Sequence, residues 1–354
     1  IQLFMARNAK RLAKQGVYLP SVVHKDNGHT LLFRALCQGG PEQNALLDEF
    51  RAIERNDADA RLFISSEHFW PLSSDEIRDL AGVLHQITDD IRVLVYLRPQ
   101  DEMWASVYAQ QAKSFRVRPE SPVWGTADFI GHGIRNWALY YNRCLSMFED
   151  AFGEGNVAPR LYRRQDFPEG DVIFDFLDFA GVMRDPAFER HEGDTNPSFG
   201  WKSVAMSLWF VGAVYDDIRK FNELPDMRRA FRAGIGEMHA RRNDPDWLGR
   251  APVVLSGQDR RDIRAHYGDD NNALFTRYFQ GMNVFGDPEN SVKDQLDHAS
   301  IPEREFDLAR RKILKHFRRA QLNLRGTEAA FRAPTPLSLA WVRSRLAGTA
   351  QGKE

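Results

Sequence analysis

Apolar and polar residues follow two different periods along the first half of the chain. Residues 60–66 and 91–97 are short, nearly continuous apolar runs, which are typical of buried parallel strands. Residues 2–15 instead repeat apolar positions at helical spacing, and Gly16 follows where a helix commonly ends. A further strand is predicted over 158–164.

Helical patterns lie between these strands and dominate the rest of the chain. An apolar stripe from Ile134 to Phe152 predicts a long helix, and 171–182 predicts another. This alternation of strand and helix indicates an α/β fold with three layers, in which a central parallel sheet is flanked by helices. The second half is predicted to be mostly helical, with helices over 198–221, 226–241, 258–267, 270–280 and 303–322.

Composition narrows the choice of partners and compartment. The 354 residues include 48 basic and 49 acidic side chains, so no bulk charge attracts nucleic acid or anionic lipid. Cys37 and Cys144 form neither a CxxC nor a zinc pattern, and a reduced compartment is the default. No apolar run approaches the roughly 20 residues that span a bilayer. We therefore expect a cytoplasmic protein with no nucleic-acid partner and no integral membrane segment.

One turn carries candidate chemistry. Arg98 ends the strong strand 91–97, Pro99 follows it, and Ser106 lies eight residues beyond Arg98 on the next predicted helix. Ligands of open parallel sheets bind beyond the carboxyl ends of strands, against helix N-termini. A guanidinium can hold a phosphate through two hydrogen bonds, and a nearby hydroxyl can add a third. The alternative is a solvated arginine, or one paired with a surface carboxylate, beside an exposed serine.

An ordered set of segments resembles the sulfotransferases that use 3′-phosphoadenosine 5′-phosphosulfate (PAPS), especially bacterial members of the Golgi-type and carbohydrate-type branch. The segments are "IQLFMARNAKRLAKQGVYLP", "LFISSEHF", "VYLRPQDEMWASVYAQQ", "RLYRRQDF" with "VIFDFLDFAGV", and "NNALFTRYFQGMNVF". The resemblance implies a P-loop-like fold and sulfuryl transfer from PAPS to a hydroxyl, with no metal ion. It also implies that Arg98 and Ser106 bind the 3′-phosphate of PAPS.

The family's phosphosulfate-binding turn, typically Lys-Thr-Gly-Thr/Ser, would fall immediately before Ile1. Its backbone N–H groups and lysine would hold the 5′-phosphosulfate. We expect the chain to be a fragment rather than a protein that has lost this loop. We expect residues 1–285 to form the sulfotransferase-like α/β domain, without its first strand and P-loop-like turn, and 286–354 to form a helical C-terminal extension.

Transfer to a hydroxyl benefits from a base that removes the proton. The resemblance puts such a base near "SSEHF". Adjacent residues of an extended segment face opposite sides, so we expect only one of the two to face the acceptor, and we favour Glu67 with His68 as the alternative. The alternatives are a capping or ion-pairing role for Glu67 and a packed ring for His68. The expected acceptor is a small molecule or a glycan. A small-molecule kinase and a non-catalytic sulfotransferase-fold binding domain are the competing interpretations.

For two other groups of basic residues a structural role explains the pattern as well as, or better than, ligand binding does. Arg163 and Arg164 end a predicted strand and could reach an anion, although pairing with Asp166 or Glu169 explains them equally well. The basic amphipathic helix at 309–321 is expected to bury its apolar residues and to leave its arginines in solvent, rather than to bind a membrane surface.

Overall fold

The chain divides into two compact units, which are described separately. The computed structural model describes residues 1–21, 30–70, 72–115, 137–190, 198–218, 224–249, 253–288 and 301–320. The first unit comprises Ile1–Arg98, Trp137–Gly193 and Tyr267–Phe285. The second unit comprises Pro99–Asn136, Asp194–His266 and Gly286–Glu354. The division between them falls directly after Arg98, at the turn that the sequence analysis singles out.

Helices make up most of the described structure. Those of the first unit are α1 (Gln2–Ala13), α2 (Thr30–Cys37), α3 (Pro41–Asn56), α4 (Ser74–Leu84), α6 (Tyr141–Phe152), α7 (Val172–Phe179) and α11 (Gly268–Tyr278). Those of the second unit are α5 (Gln100–Ser114), α8 (Trp201–Ile218), α9 (Leu224–Arg242), α10 (Gly257–His266) and α12 (Glu303–Arg319). The prediction of a mostly helical second half is therefore confirmed for the described residues.

The strands lie in the first unit and form two parallel pairs. β1 (Val17–Tyr18) pairs with β2 (Arg61–Leu62), and β3 (Val93–Leu97) pairs with β4 (Val157–Leu161). The parallel direction and the helical connections agree with the predicted α/β class. However, the described residues form two separate two-stranded sheets and not one continuous central sheet. The single three-layer sheet therefore stays a prediction.

The ladder between β3 and β4 has a defined free side. Val93 N–H donates to Asn156 O and Tyr162 N–H donates to Leu97 O, so the odd-numbered residues of β3 take part in this ladder. On β4 the even-numbered residues take part, which leaves Pro159 at a position that faces away from β3. Proline has no N–H to donate and is found on the outer edges of sheets. β4 is therefore suited to be an edge strand.

The side chains of β3 are less buried than the apolar composition of this strand predicts. A central parallel strand is normally buried on both faces, but Val93, Leu94 and Val95 are only half-buried. Among the described residues no third strand pairs with β3, so the even-numbered backbone groups of Leu94 and Tyr96 have no ladder partner. The β3 edge opposite β4 is thus unfinished in the described part of the fold.

The second unit is held by close helix contacts and buried polar groups. A Cβ atom on Gly234 of α9 would lie 2.8 Å from the Ile313 Cα of α12, so only glycine permits this approach. The apolar residues Ile313 and Phe317 of α12 are buried, which confirms the predicted burial of this helix's apolar face. Glu305 is also buried and accepts hydrogen bonds from Lys202 Nζ (3.1 Å) and Trp247 Nε1 (2.9 Å).

Two further observations bear on the sequence expectations. Within the described residues, no helix combines the length and the apolar character needed to cross a membrane. Cys37 and Cys144 are free thiols. Burial raises the pKa of Cys37 to about 11 and that of Cys144 to about 12, which makes either thiol a poor nucleophile at neutral pH.

Candidate functional site

Arg98 lies at the carboxyl end of β3, as predicted, and its guanidinium stacks on an aromatic ring. Its Cζ atom is 4.1 Å from the centre of the Tyr162 ring. The two residues meet because Leu97 and Leu161 are register partners, so the next residues along the two parallel strands are Arg98 and Tyr162. Among the described residues no carboxylate pairs with Arg98. The alternative, an ion pair between Arg98 and a surface carboxylate, is therefore not found among the described residues.

The backbone of Arg98 is also held. Tyr141, the first residue of α6, donates a hydrogen bond from its hydroxyl to Arg98 O (2.9 Å). Tyr162 N–H donates to the preceding carbonyl, Leu97 O (2.7 Å). Pro99 follows and restricts the conformation of the residue before it. The half-buried arginine is thus fixed along its main chain.

Ser106 belongs to the second unit. It lies on α5, is exposed, and makes no hydrogen bond through its hydroxyl among the described residues. The start of α5 is fixed by Asp101, which is fully buried and binds Arg260 Nη1 (2.7 Å) and Arg264 Nε (2.6 Å) of α10. The prediction that Ser106 and Arg98 share one anion stays a prediction.

The candidate bases lie on a short 3-10 turn of the first unit, Glu67–Phe69. Ser66, and not Glu67, caps this turn by accepting a hydrogen bond from His68 N–H (3.3 Å). Glu67 is exposed and has no ion pair or hydrogen bond within the described ranges. His68 is half-buried, and its ring lies 5.4 Å from that of Phe33. These contacts leave the Glu67 carboxylate available to an incoming group, whereas the His68 ring is packed.

Trp70 connects the end of this turn with the residue that holds Arg98. Its Nε1 donates to Ala138 O (2.8 Å), and its ring contacts that of Tyr141 with centroids 6.0 Å apart. Tyr141 therefore contacts Trp70, next to the turn of the candidate base, through its ring. Through its hydroxyl it contacts Arg98, the candidate phosphate-binding residue. No local pattern in the sequence signals this connection, since Tyr141 is only one member of the apolar stripe.

A second polar group lies on the same face of the β3–β4 pair. The Tyr96 hydroxyl donates to Asp175 Oδ2 (2.6 Å), and Arg160 forms an ion pair with the same carboxylate. Burial, together with this hydrogen bond, raises the pKa of Tyr96 far above its usual range. The charge of Asp175 is thus balanced by groups on the sheet.

Other predicted basic residues are engaged. Arg163 Nε binds Asp166 Oδ2 (2.7 Å), and Arg164 Nε donates to Gly170 O (3.3 Å). The predicted pairing of Arg163 with Asp166 is thus confirmed. Arg164 instead donates to a backbone carbonyl. In the part of the chain that the structure describes, no group of three or more His, Cys, Asp and Glu side chains could hold a metal ion. The GHG segment at 131–133 lies outside the described residues.

Comparison with known proteins leaves the family open. No protein-family model matches the chain. No solved structure matches it either. Over 264 residues, or 73% of its length, the chain is 26% identical to an uncharacterized protein of Archaeoglobus fulgidus, and the match covers 66% of that protein. The chain thus spans slightly less than two thirds of this relative.

Proposed function

We propose that this chain belongs to a PAPS-dependent sulfotransferase that acts on a hydroxyl acceptor, with a carbohydrate as the first acceptor to test. The observation that carries the proposal is Arg98. A guanidinium at the carboxyl end of a parallel strand, with no carboxylate partner among the described residues, is suited to an anionic ligand. The contact with the Tyr162 ring stabilises the charge of the guanidinium, and no described residue accepts a hydrogen bond from it.

The strand pairing supports the finer fold proposal. In doubly wound sheets the first strand lies inside the sheet, and later strands are added in consecutive groups on both sides of it. Removal of that strand leaves two groups of consecutive strands, which is how β1–β2 and β3–β4 are arranged. We propose that a parallel strand formed by residues before Ile1 joins the two pairs, and that the turn after it holds the 5′-phosphosulfate. The uncovered edge of β3 supports this position.

The proposed reaction needs few groups. The Glu67 carboxylate takes the proton of the acceptor hydroxyl, and the acceptor oxygen forms a bond to the sulfur of PAPS. The bond between sulfur and the bridging oxygen of the 5′-phosphate breaks, and its electron pair leaves with adenosine 3′,5′-bisphosphate. Arg98 and Ser106 bind the 3′-phosphate and hold the donor in place. The sulfuryl group passes directly between the two oxygens, and no metal is invoked.

Calorimetry with adenosine 3′,5′-bisphosphate tests the binding half of the proposal on the full-length protein. Loss of a charge-assisted contact in Arg98→Ala should weaken binding about ten- to a hundredfold, and Ser106→Ala should weaken it about three- to tenfold. Arg163→Ala is the matched control, because Arg163 already pairs with Asp166. Unchanged affinity in both site variants would rule out the assignment.

A transfer assay with labelled PAPS and a panel of glycans, lipids and small alcohols tests the chemistry. Glu67→Gln should abolish most of the transfer while adenosine 3′,5′-bisphosphate still binds. Competition by ATP with magnesium would favour a kinase, and binding of the nucleotide without transfer to any acceptor would favour a non-catalytic domain. The codons upstream of Ile1 give an independent check, because a Lys-Thr-Gly-Thr-like turn is expected there.

A further inference from the structure

We infer that Tyr141 is a positioning residue that holds the donor-binding arginine and the turn of the candidate base in a fixed relation. This inference rests on the proposed function. Its basis is one side chain with two separate contacts. The hydroxyl donates to Arg98 O, and the ring packs against Trp70, which directly follows the Glu67–Phe69 turn.

The position of Tyr141 is itself fixed by a helix cap and by a ring contact. Asp270 of α11 accepts hydrogen bonds from the N–H groups of Asn142 (2.9 Å) and Arg143 (3.1 Å), which caps the start of α6. Such a carboxylate at a helix N-terminus satisfies N–H groups that have no partner within the helix. The Tyr141 ring also contacts Phe285 at 6.1 Å, and only 3% of the residue is exposed. The hydroxyl therefore has little freedom to leave Arg98.

The contact with Arg98 acts on the main chain that carries the candidate phosphate-binding side chain. The carbonyl of Arg98 is the last one before Pro99, which has no N–H to anchor the chain in a ladder. The hydroxyl of Tyr141 supplies the restraint that a backbone partner would otherwise provide. Loss of this restraint would let the Arg98 main chain move and would misplace the guanidinium relative to a bound phosphate.

The two contacts of Tyr141 can be separated by substitution. Tyr141→Phe removes the hydroxyl and keeps the ring against Trp70, so it acts on the arginine alone. Tyr141→Leu removes both. We expect Tyr141→Phe to weaken the binding of adenosine 3′,5′-bisphosphate about three- to tenfold with little change in kcat, as expected for one lost hydrogen bond. Tyr141→Leu should lower kcat as well. Tyr18→Phe is the control, since its hydroxyl binds Asp57 (3.0 Å) elsewhere in the same unit.

A double-mutant cycle decides whether Tyr141 acts through Arg98. In an Arg98→Ala background, Tyr141→Phe should have no further effect on the affinity for adenosine 3′,5′-bisphosphate. Additive losses would overturn the inference, because they would mean that the hydroxyl acts independently of Arg98.

Hydrogen–deuterium exchange without nucleotide keeps this inference distinct from the proposed function. Peptides covering residues 93–104 should exchange faster in Tyr141→Phe than in the wild type or in Tyr18→Phe. Faster exchange combined with an Arg98→Ala variant of normal affinity would reject the proposed function and keep the positioning role. Unchanged exchange would overturn the positioning role, whatever the nucleotide does.

Discussion

A half-buried strand of the first unit contrasts with two buried carboxylates of the second unit. In the first unit, the apolar residues Val93, Leu94 and Val95 of β3 are only half-buried, and one edge of the strand has no ladder partner among the described residues. In the second unit, the charged residues Asp101 and Glu305 are buried and form ion pairs with basic side chains. The first unit thus leaves surface for further binding, whereas the second fixes its helices through contacts that tolerate little change.

The largest effect is expected at the most deeply buried charge of the second unit. Asp101→Ala leaves Arg260 and Arg264 without their common carboxylate in a buried place, so the free energy of unfolding should fall by about 3–5 kcal/mol. Urea unfolding measures this loss. Asp79→Ala is the control, because Asp79 is exposed and should change stability by less than about 0.5 kcal/mol. Similar small effects of both variants would contradict the contrast between the units.

A smaller loss is expected where two helices of the second unit touch. Gly234→Ala introduces a Cβ atom 2.8 Å from the Ile313 Cα atom, so α9 and α12 must move apart at a cost of about 1–3 kcal/mol. Gly236→Ala lies two residues further along α9 and has no atom within 4 Å of the added methyl group. The control should stabilise the protein by about 0.5–1 kcal/mol, because alanine favours helix. Thermal unfolding in which both variants shift in the same direction would refute this account.

The sheet of the first unit should respond less than the second unit does to loss of a polar contact. Tyr96→Phe removes a hydrogen bond to Asp175, but Arg160 still pairs with that carboxylate, so the free energy of unfolding should fall by about 0.5–1.5 kcal/mol. Tyr162→Phe is the control on the same face, since its hydroxyl has no partner among the described residues. Equal losses in chemical denaturation would show that the Asp175 contact contributes nothing.

The smallest effect concerns a half-buried ion cluster of the second unit and depends on pH. Hydrogen bonds from Lys312, His316 and Lys315 lower the pKa of Glu237 to about 2. A carboxyl pKa that is lower in the folded state stabilises the protein above its unfolded value of 4.5, and this stabilisation is lost as the pH falls toward 2. Glu237→Gln should therefore lower the thermal midpoint slightly at pH 7.

The same comparison at lower pH tests the cause. The difference in thermal midpoint between the wild type and Glu237→Gln should shrink progressively between pH 4.5 and about 2. Asp79→Gln again serves as a control with no such cluster. A difference that stayed constant over this range would show that the amide acts through packing and not through charge.

Much of the element order could be predicted from periodicity, but short or locally quiet elements could not. The helix expected over 2–15 spans Gln2–Ala13, and the stripe ending at Phe152 forms a buried helix that begins at Tyr141. α2 and α3 were not predicted, and β1 has only two residues. A strand of two residues is too short to show a period. Its pairing with β2 also depends on a segment more than forty residues away, which local pattern does not reveal.

The candidate site was predictable only in part for the same reason. Arg98 at a strand end follows from local pattern, since the apolar run stops there and Pro99 follows. Its stacking on Tyr162 depends on the register between β3 and β4, and its bond from Tyr141 depends on where α6 begins. Both are tertiary contacts between segments that are distant in the sequence, so the residues next to Arg98 do not predict them.

Pro159 has a consequence for how this protein behaves in a crowded solution. A strand from another molecule that approached the outer side of β4 would meet a gap in hydrogen bonding at this residue, and intermolecular growth of the sheet would stop there. Replacement of Pro159 by a residue with an amide hydrogen would remove this protection, and self-association at high concentration would then increase.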